Sequence, residues 1–149
     1  MFSKILVCLD GSKLAEQVLP YAIEQALRFK SQLVLLSVIV PATSTSTVWE
    51  PAPQELVEKQ AEAEKAAEAY LKNIINRLSE EKGLRAEYLT LEGLVAETIV
   101  EYAQKNKVDL IAIATHGLGG LRRLAFGSVA DFVLRNSNVP LLVIRPNEI

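Results

Sequence analysis

This chain is nearly without the thiol and imidazole side chains that zinc, copper and thiol-redox chemistry use. It holds one cysteine, Cys8, and one histidine, His116. A single thiol excludes an internal disulfide, and its place in an apolar stretch makes a buried side chain the plainer reading. A lone histidine cannot build a histidine metal cluster, and no nucleophile partner for it is visible. Long hydrophobic runs are also missing. The longest, about Leu33 to Val40, is too short to cross a bilayer, so no membrane partner is expected. Neither charge sign dominates: 16 Lys and Arg stand against 18 Asp and Glu, a net charge of −2. With no basic stripe, nucleic acid lacks electrostatic support as a partner. The familiar phosphate signatures are absent as well. There is no G-x-x-x-x-G-K-[ST], and Gly117-Leu-Gly119-Gly120 does not fit G-x-G-x-x-G and follows a late strand. The first turn, Leu-Asp-Gly-Ser-Lys, lacks the serine-glycine-glycine loop of pyrophosphate-forming synthetases.

What remains is a chain of 149 residues, half of them apolar, the length of one domain. A chain of this size buries roughly 68–70% of its unfolded surface and needs neither disulfide nor metal. The opening Met-Phe-Ser-Lys-Ile-Leu enters a strand without a signal-peptide layout, so a cytoplasmic location is expected.

Strand and helix patterns alternate throughout. Ile5 to Leu9 is a continuous apolar run, a buried strand. Asp10-Gly11-Ser12 is a turn with Ser12 as N-cap. Leu14, Val18, Ala22 and Ala26 then predict a helix from Lys13 to Phe29, kinked at Pro20. Leu33 to Val40 is the second strand, and Pro41 to Pro53 reads as a loop. Gln54 to Glu81 reads as a long helix with Leu56, Ala63, Ala67, Leu71, Ile74 and Leu78 on its buried face and Gly83 as its stop. Glu55 with Lys59, and Glu68 with Lys72, are favourable pairs on its wet face. Arg85 to Leu91 alternates as a half-buried or edge strand. Val95 to Lys105 follows as a helix, Asp109 to Ala114 as a strand, Ser128 to Arg135 as a helix and Val139 to Arg145 as the last strand. Five strands and four helices in βα alternation predict an α/β fold, an open parallel sheet with helices on both faces. Ligands in such sheets bind beyond the carboxyl ends of the strands.

Two candidate stretches lie at such ends: Asp10-Gly11-Ser12, and Ala114 to Val129 with its glycines, Arg122, Arg123 and Gly127-Ser128. Strand, glycine-rich loop and helix N-terminus together make an anion cradle, which suggests a phosphorylated small molecule. Plainer roles exist for the same residues. Ser128-Val-Ala-Asp131 is also a capping box, and Asp131 puts negative charge near the proposed phosphate. Asp10 suits an Asp-Gly turn, and Arg122 and Arg123 suit solvated surface.

The segment resembles the universal stress protein family. Its nucleotide-binding members carry glycine, two residues, glycine, nine residues, then glycine and Ser or Thr. Gly117, nine residues on, and Gly127-Ser128 match, while Ala114 stands at the first glycine position. The opening Lys-Ile-Leu-Val-Cys-Leu-Asp-Gly-Ser, Gly93-Leu-Val-Ala-Glu-Thr-Ile, Val108-Asp-Leu-Ile and Ser-Asn-Val-Pro-Leu-Leu-Val-Ile-Arg extend the likeness to nearly the whole chain. The resemblance implies a single-domain sheet in order 3-2-1-4-5 and a homodimer through the C-terminal edge strand, Val139 to Ile144. It implies ATP, AMP or a related adenine nucleotide as ligand, with any Mg or Mn ion riding on the phosphates. Asp10 and the backbone of Val38 would face the adenine, and Gly127, Ser128 and Val129 the phosphates. The implied nucleotide-binding set is Asp10, Gly11, Ser12, Val38, Ala114, His116, Gly117, Gly127, Ser128 and Val129, with Arg122 and Arg123 as further phosphate contacts. If the family glycine makes room for ligand, the methyl of Ala114 crowds it; if it is only a small residue at a strand end, Ala114 is neutral. Three functions stay open: a nucleotide-binding stress or regulatory module, a slow ATP hydrolase on the same site, and a dimeric interaction protein that binds no nucleotide. Gly127→Val is expected to abolish nucleotide binding in a folded dimer.

Overall fold

The computed structural model describes residues 1–41, 53–116 and 127–147. Its elements are β1 (Lys4–Cys8), α1 (Lys13–Glu16), α2 (Leu19–Phe29), β2 (Gln32–Ile39), α3 (Gln54–Lys82), β3 (Ala86–Glu92), α4 (Val95–Lys105), β4 (Leu110–Ala114), α5 (Ser128–Asn136) and β5 (Leu141–Ile144). All strand pairs are parallel, in the order β3-β2-β1-β4-β5. The expected fold class and strand order are borne out.

The strands form because their side chains are apolar on both faces. Ile5, Val7 and Leu9 point to one core, with Leu33 and Leu35 of β2, Leu19, Ala22 and Ala26 of α2, and Leu71, Ile74 and Leu78 of α3. Leu6 and Cys8 point to the other, with Val34, Leu36, Ile111 and Ile113, Ile99 and Ala103 of α4, and Ala130 and Val133 of α5. This alternation is the strand period of two, read twice because both faces are covered. The chain winds one way through β1, β2 and β3, then returns to the other side of β1 for β4 and β5. The winding reverses between β1 and β4, and that reversal opens a crevice at the carboxyl rim.

Two expectations fail. The helix from Lys13 to Phe29 is two helices, separated at Gln17 and Val18. Pro20 therefore does not kink a helix; it lies in the first turn of α2, where its missing N–H costs nothing. The described chain thus has five helices rather than four. The second failure is the buried face of α3. Leu71, Ile74 and Leu78 are buried, but Leu56 is 39% exposed, Ala63 is exposed and Ala67 only half-buried. Length is the reason. The 29 residues of α3 span about 43 Å, whereas the longest strand, eight residues, spans about 26 Å. The N-terminal half of α3 overshoots the carboxyl rim of the sheet. Gln60 Nε2 donates there to Glu92 Oε1 at the end of β3, at 2.8 Å. Gly83 does stop the helix, in the left-handed conformation at φ 63°. The Glu55–Lys59 pair is present at 3.6 Å and exposed, so it adds only a few tenths of a kcal/mol.

The two edges of the sheet differ. β3 exposes Glu87, Tyr88 and Glu92, while all four residues of β5 are apolar and half-buried.

Leu71 is fully enclosed beneath α3. Leu71→Ala is expected to cost about 2–5 kcal/mol in urea denaturation. Burial pushes the Cys8 thiol from 9.0 up to about 12. The thiol of the unfolded chain then ionises first, so its contribution to stability is full below pH 9 and falls as pH rises towards 12. At pH 8 an alkylating reagent is expected to leave Cys8 unmodified until denaturant is added.

Candidate functional site

The crevice is walled by the ends of β1, β2 and β4 and the start of α5. Strand β1 stops pairing at Cys8, opposite Leu36, with one further bond from Leu9 N–H to Leu36 C=O at 2.9 Å. Asp10 then turns the chain. Its Oδ1 accepts from Ser12 N–H at 2.9 Å, and Gly11 between them has φ 86°, a left-handed geometry that favours glycine. Ser12 Oγ accepts from Ala15 N–H at 3.1 Å, so Ser12 caps α1 as its sequence suggests.

Strand β2 runs on past β1, to Ile39. Its carbonyls alternate in direction: Leu36 C=O faces β1, and Ile39 C=O faces β3, accepting from Gly93 N–H at 3.0 Å. By that alternation the N–H and C=O of Val38 both face the β1 side, beyond the last bond between the two strands. A backbone donor and acceptor therefore lie side by side at the rim, next to the departing Asp10 turn.

On the other flank β4 ends at Ala114, which is 9% exposed, so its methyl is mostly enclosed by protein. Thr115 N–H donates to Ile144 C=O at 2.9 Å, and the buried Thr115 Oγ1 is hydrogen-bonded to His116 Nδ1 at 2.8 Å. Helix α5 starts directly against this strand end. A Cβ at Gly127 would lie 1.9 Å from the Thr115 carbonyl oxygen. Close approach demands the glycine, since its φ of −64° suits any residue.

The capping expectation at Ser128 is wrong. Gly127 is the N-cap, without a side-chain hydrogen bond, and Ser128 is the first helical residue. The backbone N–H groups at the start of α5 thus lack an intrahelical partner and point out of the helix end. Asp131 does not reach back as a capping box would. Its carboxylate takes Arg135 Nε at 3.0 and 3.1 Å, which offsets the negative charge near the helix start.

Asp10, Gly11, Ser12, Val38, Ala114, His116, Gly127, Ser128 and Val129 therefore all come to one rim. Gly117, Arg122 and Arg123 lie outside the described residues, as does most of the loop between Pro41 and Pro53. Sequence reasoning missed Tyr70. It stands four residues before Ile74 and eight before Leu78, on the apolar row of α3, so a polar tip on that row was the available signal. Burial, and then the Glu16 and Asp10 carboxylates, push its hydroxyl far above the usual phenol range; Arg77 opposes this weakly. Among the described residues no group of three or more His, Cys, Asp or Glu could hold a metal ion, and no helix is long and apolar enough to cross a membrane. The rim can accept hydrogen bonds at its β1 end and donate them at its α5 end.

An open parallel sheet wound both ways from a central strand, with polar groups converging at the reversal, defines an α/β protein of the doubly wound class. A family model described as the Universal stress protein family matches residues 1–145, and the chain belongs to that family. Universal stress protein MJ0531 of Methanocaldococcus jannaschii is 32% identical over 152 residues, covering 97% of this chain and 83% of its own. Universal stress protein UspA from Lactobacillus plantarum superposes with a TM-score of 0.85 at 24% identity, covering 97% of this chain and 98% of its own. Two further solved structures share the fold. One is a universal stress protein in complex with cAMP, at TM-score 0.70 and 19% identity over 97% of each chain. The other is a family protein from Arabidopsis thaliana with AMP bound, at TM-score 0.67 and 18% identity over 97% of this chain and 92% of its own.

The contact between Gly127 and Thr115 changes what a substitution there reports. Gly127→Ala is expected to lower stability by about 1–3 kcal/mol or more with no ligand present, read by thermal or urea denaturation. Gly127→Val, which strikes the same carbonyl with a larger side chain, is therefore a probe of the strand–helix junction and not of phosphate binding.

Proposed function

We propose that this chain is an adenine-nucleotide-binding regulatory protein of the stress response, of the glycine-motif branch of its family, acting in the cytoplasm as a homodimer. The observation that supports this most is the backbone pair at Val38. Its N–H and C=O face the rim beyond the end of β1, next to Asp10. An adenine edge offers a ring-nitrogen acceptor beside an amino donor, the complement of such a pair. The Asp10 carboxylate adds an acceptor for the amino group. Gly11 and Ser12 hold Asp10 in place, and Ala114 and His116 floor the middle of the crevice. The N–H groups of Ser128 and Val129, with the Ser128 hydroxyl, take the phosphates at the N-terminus of α5. Gly127 lets that helix end sit close enough to β4 to do so. ATP, AMP and related adenine nucleotides share this chemistry, and a Mg or Mn ion would be carried by the phosphates of a bound ATP. The cAMP and AMP of the two family structures are consistent with this choice of base.

The homodimer rests on the β5 edge. Pro140 and Ile144 direct their carbonyls to β4, so the N–H groups of Leu141 and Val143 face outward. An apolar edge with outward donors and no charged residue is a template for strand pairing, whereas Glu87 and Glu92 guard the β3 edge. A second copy pairing along β5 would satisfy it symmetrically.

Purified protein denatured for mass spectrometry is expected to release an adenine nucleotide, or, if stripped, to bind ATP with Mg in calorimetry. Asp10→Ala is expected to weaken that binding by about 1–3 kcal/mol, the loss of one buried polar contact. An empty wild-type protein that gives no calorimetric heat with ATP or AMP overturns the reading; phosphate release on incubation would instead make it a hydrolase. For the dimer, Val143→Pro removes one outward N–H and no β4 hydrogen bond. Light scattering is expected to give twice the chain mass for the wild type and the single chain mass for the variant.

A further inference from the structure

In a parallel sheet joined by helices, every strand starts at one end and every helix stops there. Residues far apart in the chain therefore share that amino rim. Four neighbouring strands each carry a cation at it. Arg85 precedes β3, Lys30 precedes β2, Lys4 opens β1 and Lys107 precedes β4. At the spacing of paired strands this row is about 14 Å long. Lys30, Arg85 and Lys107 are exposed. The ion pairs among the described residues are Arg28–Glu24, Lys59–Glu55, Lys105–Glu101 and Arg135–Asp131, and they leave all three out. The Asp109 carboxylate is taken by the N–H groups of Ser3 and Lys4, at 2.7 and 3.0 Å. On the end of α3, Arg77 and Lys82 offset Glu80 and Glu81.

Lys30 and Lys107 are also the two non-glycine residues with positive φ among the described residues, both at 54°. Such positions at helix ends favour glycine, as at Gly83. A cation there gains from the helix dipole, but a lysine one residue earlier, as Lys82 stands before Gly83, gains the same without the unfavourable backbone. The fold alone therefore does not call for lysine at these two points. Apolar side chains share the rim. Met1 is 93% exposed, and Leu27 and Phe29, in the last turn of α2, are exposed just before Lys30.

We propose that the amino rim is a docking surface for an anionic lipid bilayer. Lys30, Arg85 and Lys107 meet the lipid phosphates, and Met1, Leu27 and Phe29 enter the headgroup layer. Charge complementarity selects an anionic partner, and the exposed apolar side chains select lipid among anions. A nucleic acid would pair with the cations and leave Met1 and Leu27 in water. The ring of Phe29, already engaged by Phe2 with centroids 5.2 Å apart, is a poor platform for a base. No spanning segment is needed, since the contact lies on the membrane surface. The ligand crevice is at the opposite rim, so a docked molecule keeps it open to solution. The two surfaces share no residue, and either can fail alone.

The experiment uses the full chain with vesicles of phosphatidylcholine, alone or with roughly one third phosphatidylglycerol, at low salt. Sedimentation is expected to carry the protein down with the anionic vesicles only, and to lose it as salt rises. Lys30→Gln and Lys107→Gln are each expected to lower the partition coefficient about fivefold, and together about 25-fold. Leu27→Gln is expected to lower it severalfold. Lys65→Gln, the same charge change on the N-terminal half of α3 away from this rim, is expected to leave it unchanged. No binding to the anionic vesicles overturns the proposal, as does equal binding to the neutral ones. A loss in Lys65→Gln matching that in Lys30→Gln overturns it, because net charge alone would be responsible. Wild-type-like binding in Leu27→Gln, or retention by an oligonucleotide in place of vesicles, overturns the assignment to lipid.

Discussion

Strand β1 is shorter at the carboxyl rim than its neighbour β2, and the rest of the site depends on that inequality. Pairing between them ends with the bond from Leu9 to Leu36, while β2 continues to Ile39 along β3. Backbone polar groups that a longer β1 would have satisfied are thereby presented at the rim. Asp10, leaving β1 at the same level, brings a carboxylate beside them. On the other side of β1, the contact of Gly127 with the Thr115 carbonyl sets α5 hard against the end of β4. A crevice with acceptors at one end and helix N–H groups at the other follows from these two backbone facts.

Electrostatics grade the same crevice. Asp10 and Glu16 cluster at the β1 end, and their charge, together with burial, keeps the Tyr70 phenol a donor. At the α5 end the Asp131 carboxylate is paired with Arg135. The crevice is thus acidic at its β1 end and lined by helix N–H donors at its α5 end.

The places where sequence reading went astray share a cause. Leu14, Val18, Ala22 and Ala26 keep a helical spacing straight through the break at Gln17, because both α1 and α2 bury residues in register with that period. On that spacing alone Pro20 reads as a kink inside one helix, whereas it stands in the first turn of a second. In α3 the apolar period continues to Leu56 past the point where there is sheet left to cover. Ser128 has the side chain of a cap, yet the helix begins one residue earlier, because only glycine fits against Thr115. In each case local pattern was correct and the distance to another element decided otherwise.

By itself the sequence determined the α/β class, the strands, the Ser12 cap, the Gly83 stop and the Asp10–Ser12 turn at a strand's carboxyl end, since each follows from neighbours within a few positions: alternation, helical period and turn chemistry. Tertiary structure alone decided that β1 ends before β2, that α3 overshoots the sheet, that Gly127 rather than Ser128 caps α5, and that Tyr70 meets Glu16. Those are relations between backbones and side chains far apart in the chain, set by relative element lengths and by close contact. No local period encodes them.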